Sequence, residues 1–284
     1  MDKVEVYGRM IKFSHSIFAL PFALSAMVLA MRTHSFSIWK LLWIVIAMVA
    51  ARSAAMGFNR LVDADIDEKN PRTRQREIPS GQLSKSSTIR FIGLSGAAFI
   101  LSAAMLGKVC FYFSFPVLGL LLFYSYTKRF TWFCHIYLGF VISLAPIGAW
   151  IAMTNTISWP ISFLALALMT NIGGFDILYA CQDLDFDAEE KLFSIPAAMG
   201  IEKALKISTL LHAATFVFFI IFFFAFGMSG IYFLTLAVIG ILLVIEHRLV
   251  KPDDLSNVNI AFFHINSIIS VVLLAGIIVN EVLR

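Results

Sequence analysis

Nine long apolar runs separated by polar stretches leave this chain few architectures. They fall at residues 14–31, 39–58, 89–106, 109–126, 133–153, 157–178, 205–226, 231–245 and 258–279. A helix needs about 20 apolar residues to cross the hydrocarbon core of a bilayer, and most of these runs approach that length. No water reaches the core, so each span must satisfy its own backbone and is helical. Of the 284 residues 60% are hydrophobic and 14% are charged, against about 25% charged in soluble domains. The expectation is an all-α polytopic membrane protein, with residues 1–284 forming a single domain and the lipid bilayer as its surroundings. The net charge of +4 gathers into no basic patch interleaved with aromatics, which argues against nucleic acid as a partner. Cys110, Cys134 and Cys181 form no CxxC pair and read as packing residues. The first run follows Lys3, Arg9 and Lys12 without a small-residue cleavage site, so it reads as a retained helix.

Lysine and arginine are unevenly shared between the two sets of loops. Lys3, Arg9 and Lys12 precede the first span, seven more from Arg60 to Arg90 follow the second, and Lys128, Arg129, Lys191, Lys203, Lys206, Arg248 and Lys251 continue the same side. The other side has Arg32, Lys40, Lys108 and Arg284. The positive-inside rule then predicts a cytoplasmic N-terminus, with loops 60–88 and 183–204 as cytoplasmic caps.

Each of those two loops follows an acidic cluster. Asn59, Asp63 and Asp67 are spaced four apart, so on a helix they share one face. Asp183 and Asp187 repeat the spacing, with Tyr179 four residues earlier. Each loop also carries an Ile-Pro step and a glycine, at 78–81 and 195–200, which points to an internal duplication. Carboxylates crowded this way repel one another unless a cation sits among them. Mg²⁺ prefers oxygen and is often held by one or two carboxylates plus a substrate phosphate. Two clusters facing each other across a cavity would therefore hold Mg²⁺ and a diphosphate; the plainer reading is solvated interfacial charge. Asp65 and Asp185 fall off the shared face and are expected either to support the motif side chains from behind or to face solvent.

Basic groups accompany the clusters. Arg72 and Arg76 are four apart, as are Tyr124 and Lys128; they suit diphosphate oxygens, with membrane anchoring as the alternative. Arg52 lies two turns deeper than Asn59 on the same face, and Asp176 seven residues before Asp183. Charges inside a span are costly and pair or face a cavity. Arg52 and Asp176 thus read either as an ion pair or, for Arg52, as a ligand for an anionic substrate group. A membrane-surface diphosphate site suits a polyisoprenyl diphosphate, whose tail gains about 0.8 kcal/mol per buried CH₂. Loss of the diphosphate leaves an allylic cation that aromatic faces stabilise, but with 28 Phe residues no single ring stands out.

At these residues the chain resembles the UbiA superfamily of intramembrane prenyltransferases: 59-xxx-63-xxx-67 matches its first motif, 183-xxx-187 its second, and Tyr124-xxx-Lys128 a further pair. The resemblance implies nine transmembrane helices around a central cavity in the bacterial inner (plasma) membrane, with the active site facing the cytoplasm. It also implies Mg²⁺-dependent transfer of a polyprenyl group from its diphosphate to an aromatic acid. Asn59, Asp63, Asp67, Asp183 and Asp187 would hold the metal; Arg72, Arg76 and Lys128 would neutralise the diphosphate; Tyr124 and Tyr179 would orient it or shield the cation; Arg52 or Lys12 would meet the acceptor carboxylate. Residues 72–81 are similar to the 4-hydroxybenzoate polyprenyltransferase branch of respiratory quinone (ubiquinone and menaquinone) biosynthesis. Residues 12–22 instead look like the subgroup tied to futalosine-route menaquinone, whose acceptor is 1,4-dihydroxy-6-naphthoate. Two other classes fit less well. A CDP-alcohol phosphotransferase would want glycine at position 59, and a divalent cation transporter would want midplane carboxylates on several spans.

Overall fold

A computed structural model describes residues 3–284. Among them the helices run α1 (Lys3–Met10), a tight turn (Phe13–Phe18), α2 (Leu20–Ala30), α3 (Ile38–Val62), α4 (Ala64–Lys69), α5 (Lys85–Leu106), α6 (Lys108–Thr127) and α7 (Cys134–Thr154). They continue with α8 (Trp159–Ala180), α9 (Leu184–Glu189), α10 (Ile195–Met199), α11 (Ile201–Ala225), α12 (Tyr232–Leu249), a wide π turn (Ile260–Ile265) and α13 (Asn266–Val282). Nine segments among the described residues are long and apolar enough to span a membrane, matching the nine expected from sequence. Several extend beyond the apolar runs. The second reaches Val62 and the third begins at Lys85, because polar residues continue a helix once hydrocarbon has ended.

The described residues divide into two compact units, residues 3–16 with 38–126 and residues 17–37 with 127–284. In the first, α3 packs along α5, and Gly57 lets the side chains of Ile92 and Phe91 approach its backbone. The short α1 buries Val6, Met10 and Ile11 against Ala64, Ile78 and Leu83, so the N-terminal helix pins the loop that follows the first acidic motif. Tyr7 stacks on Phe91 at 4.7 Å.

In the second unit α8 packs between α7 and α11, and Leu164, Leu168, Ile172 and Ile177 are fully or almost fully buried. A polar network pins four helices from within. Asn266 Nδ2 donates to Glu246 Oε1 at 2.8 Å, and Asn171 Nδ2 donates to Asn266 Oδ1 at 3.1 Å. His212 Nε2 donates to the Asn171 carbonyl at 3.2 Å, with its Nδ1 2.9 Å from His247 Nε2. Glu246 and Asn266 are wholly buried. In lipid such groups must find partners within the protein. Arg32 closes another contact by pairing with Glu281 at 2.5 Å.

Candidate active site

The first acidic motif straddles a joint between two helices. Helix α3 ends at Val62, and Asp63 (φ −90°, ψ 2°) forms the joint with α4. The i→i+4 bonds nevertheless persist, Asp63 N to Asn59 O at 2.9 Å and Asp67 N to Asp63 O at 2.8 Å. Asn59, Asp63 and Asp67 therefore stay on one face despite the joint. Asn59 Nδ2 donates to Asp63 Oδ2 at 3.0 Å. Asp63 and Asp67 are buried at 1% and 3% exposure, whereas Asp65 points outward to Lys85 at 3.1 Å, as its off-face position predicted. Arg76 returns over the motif, its Nη1 at 2.7 and 2.8 Å from the two Asp67 oxygens. Thr73 Oγ1 donates to the Asp67 carbonyl at 3.2 Å, and Asn70 Oδ1 accepts from Arg72 N at 2.9 Å.

A cationic group gathers in the same unit. Lys12 sits past α1 with φ 46°, and its carbonyl accepts from Arg52 Nη2 at 3.1 Å. Burial pushes the Lys12 amine down to about 8, helped by the charges of Arg60, Arg76, Arg72 and Arg52. Arg60, by sequence one of the loop charges, is only 5% exposed. The Nε atoms of Arg60 and Arg52 are both buried without a hydrogen-bond partner. Buried donors left this way are expensive, and an anion would satisfy them. The signal in the sequence was an arginine set beside Asn59 inside the motif, where a turn of helix carries it out of reach of water.

The second motif repeats the joint. Helix α8 ends at Ala180, a tight turn covers Cys181–Asp183, and Asp183 (φ −105°, ψ 10°) opens α9. Its conformation is close to that of Asp63, so the two motifs are alike in backbone as well as in spacing. The Ile-Pro steps differ: Ile195 and Pro196 open α10 behind the Ser194 cap, while residues 78–81 form turns. Asp183 and Asp187 are half-buried and Asp185 is exposed. Ser194 donates to the Asp187 carboxylate, with Asp183 and Lys128 close by. The Lys128 carbonyl accepts from Phe193 N at 2.7 Å. Tyr124 is half-buried on α6, four residues before Lys128. Asp176 takes His135 as its partner, Nδ1 to Oδ2 at 2.7 Å, while Arg52 bonds the Lys12 carbonyl.

Below this motif the structure selects rings that composition could not. Tyr179 lies 4.4 Å from Phe262, which meets Phe175 at 5.1 Å and Phe18 at 5.5 Å. Phe18 also touches Phe175 at 5.0 Å and Phe263 at 5.8 Å. Phe262 and Phe263 come from the π turn, a feature frequent at functional sites.

The donors suit a hard divalent cation, since Asn59, Asp63, Asp67, Asp183 and Asp187 offer only oxygen on the motif faces. Among the described residues no three His, Cys, Asp or Glu side chains converge to enclose an ion alone.

The UbiA prenyltransferase family matches residues 19–268. A 4-hydroxybenzoate octaprenyltransferase from Vibrio atlanticus is 30% identical over 214 residues, 74% of each chain. The apo structure of a UbiA homolog from Aeropyrum pernix K1 superposes with a TM-score of 0.84 at 30% identity, covering 93% of this chain and 97% of that one. A UbiA homolog from Archaeoglobus fulgidus bound to GPP and Mg²⁺ shares the fold at 19% identity, with a TM-score of 0.75 over 98% of this chain and 99% of that one.

Proposed function

We propose, from the premise that the chain belongs to the UbiA prenyltransferase family and is itself a prenyltransferase, that it transfers a polyprenyl group to a hydroxyaryl carboxylate, 4-hydroxybenzoate in the first instance. The reading places it in respiratory quinone biosynthesis, in the bacterial inner membrane, with the chemistry at the cytoplasmic face. The observation that carries it is the recurrence of a jointed acidic motif, Asp63 with Asp67 and Asp183 with Asp187, beside an excess of buried cations. The curated relative named for 4-hydroxybenzoate supports the acceptor, and the GPP- and Mg²⁺-bound relative supports the donor and metal.

Bound Mg²⁺ would neutralise the diphosphate and ease its departure. Asn59, Asp63, Asp67, Asp183 and Asp187 are the side chains that would hold it. Arg72 and Lys128 meet the diphosphate oxygens, and Arg76 exchanges Asp67 for a phosphate oxygen when the carboxylate is engaged elsewhere. Breaking the C1–O bond releases the diphosphate; a bond then forms from C1 to a ring carbon of the acceptor, and that carbon gives up its proton. Tyr124 and Tyr179 orient the head, and the ring group of Tyr179, Phe175, Phe262 and Phe18 supplies π faces to the allylic cation. Lys12, Arg52 and Arg60 bind the acceptor carboxylate, which satisfies the unpartnered Nε atoms. The family match runs across both compact units, which supports reading residues 1–284 as one functional domain.

The second reading, 1,4-dihydroxy-6-naphthoate as acceptor, rests on residues 12–22. Membranes containing the protein, given labelled polyprenyl diphosphate, Mg²⁺ and each acceptor separately, should yield a lipid-extractable product with 4-hydroxybenzoate. Product with the naphthoate alone transfers the assignment to the second reading, and product with neither overturns both.

A further inference from the structure

The geometry points to His135 as a positioning residue. We propose that, through the amide of Ile195, it seats the loop after the second motif so that Ser194 meets the Asp187 carboxylate. The premise that Asp187 holds a cation is taken from the proposed function.

The arrangement begins with two glycines. A Cβ on Gly139 would run into the carbonyl of Met169, and one on Gly173 would lie 3.5 Å from the His135 carbonyl. Helices α7 and α8 therefore approach to backbone contact. Within that crossing His135, one turn before Gly139, lies beside Asp176, one turn after Gly173. Its Nδ1 is 2.7 Å from Asp176 Oδ2, and its Nε2 is 3.3 Å from Ile195 N. A backbone N–H can only donate, so Nε2 is the unprotonated acceptor and the ring proton sits on Nδ1, given to Asp176. Asp176 thereby fixes the tautomer that lets His135 receive the loop.

Ile195 is one residue from the contact that matters. Ser194, 3% exposed, accepts from Ala197 N at 3.3 Å as the cap of α10 and donates to Asp187. Leu192 N donates to the Asp187 carbonyl at 2.8 Å. Phe193 is held on both sides, by the Lys128 carbonyl at 2.7 Å and by Cys134 Sγ at 3.4 Å. A histidine serving only to pair α7 with α8 would need Asp176 alone. Here the second nitrogen reaches a segment 60 residues on, which itself touches a motif carboxylate. Partners that orient metal-holding groups in this indirect way cost about 10–100-fold in metal affinity or activity when removed.

Two variants separate positioning from packing. His135→Leu removes both ring contacts. Ile195→Pro removes the donor, at the first position of α10 where proline is tolerated, together with the buried side chain packed near Ile177 and Cys181. Ile195→Ala, which trims that side chain and keeps the N–H, is its control and should exchange more slowly than Ile195→Pro. Amide exchange of residues 192–199 is followed in the metal-free full-length protein, and Mn²⁺ affinity by its spin-resonance signal. His135→Leu and Ile195→Pro should both speed exchange at the remaining amides and weaken Mn²⁺ about 10-fold or more, while His135→Gln, with an acceptor and a donor, stays nearer wild type. Wild-type exchange in Ile195→Pro overturns the latch even if His135→Leu does not fold. Faster exchange with unchanged Mn²⁺ affinity overturns its link to Asp187. Neither measurement requires prenyl transfer, so an inactive wild type counts against the proposed reaction alone.

Discussion

A single nitrogen of Arg76, Nη1, bridges both carboxylate oxygens of Asp67, at 2.7 and 2.8 Å, with Asp67 only 3% exposed. Removing one partner of a buried charged pair strands the other, at about 3–5 kcal/mol. Arg76→Gln is expected to lower kcat/KM for the prenyl diphosphate by about 100-fold. One nitrogen makes both contacts, so Arg76→Lys should keep more activity than Arg76→Gln. Steady-state rates for the two variants check this, and equal losses would count against charge as the shared requirement.

The Lys12 amine titrates at about 8, brought down by burial and then by its arginine neighbours. Under the proposed role of Lys12, only the charged amine would hold the acceptor carboxylate, so the acceptor KM should rise as pH goes from about 7 to about 9. Lys12→Arg, which stays charged, should flatten that rise. The same shift bears on stability. Between about 8 and the ordinary 10.5 the unfolded lysine binds more proton than the folded one, so this group's contribution to stability increases with pH across that window. KM-against-pH profiles of the two proteins provide the measurement.

Gly139 lies where α7 and α8 meet backbone to backbone, and any side chain there collides with the Met169 carbonyl. Gly139→Ala is expected to destabilise by about 1–3 kcal/mol, the usual cost of forcing atoms into a packed interior. Gly148, with open space where its Cβ would go, serves as the control on the same helix. Thermal unfolding in detergent should separate the two alanine variants by several degrees.

Glu246 is wholly buried and accepts from Asn266 Nδ2 at 2.8 Å. Glu246→Ala takes a partner from that amide group and should cost about 1–3 kcal/mol. Glu246→Gln, with an oxygen at the same place, should lose less. The comparison is read from the same unfolding experiment, and a fully stable Glu246→Ala would show that the network contributes no net stability.

Much of this was legible in the residues. Nine apolar runs became nine spans, and the four-residue spacing separated buried Asp63 and Asp67 from outward Asp65. What escaped was set by contacts distant in sequence. Asp176 finds His135, 41 residues away, because two glycines bring α7 and α8 together. Phe18, Phe175 and Phe262 join Tyr179 from three separate segments, and no periodicity distinguishes them among 28 phenylalanines. Arg60 is visible in the sequence but its burial is not, since that depends on contacts made only in the folded chain. The joints at Asp63 and Asp183 lie beneath sequence reading, because the four-residue spacing is the same with or without them, and at the first motif the i→i+4 bonds persist across the joint.

The central claim is that the carboxylates on the motif faces, rather than acidic character in general, support transfer. Rates of Mg²⁺-dependent prenyl transfer should be compared for Asp63→Ala, Asp183→Ala, Asp65→Ala and Asp185→Ala. The account predicts losses of about 100-fold or more for Asp63 and Asp183, with the exposed Asp65 and Asp185 variants close to wild type. A wild-type rate in Asp63→Ala or Asp183→Ala would contradict it.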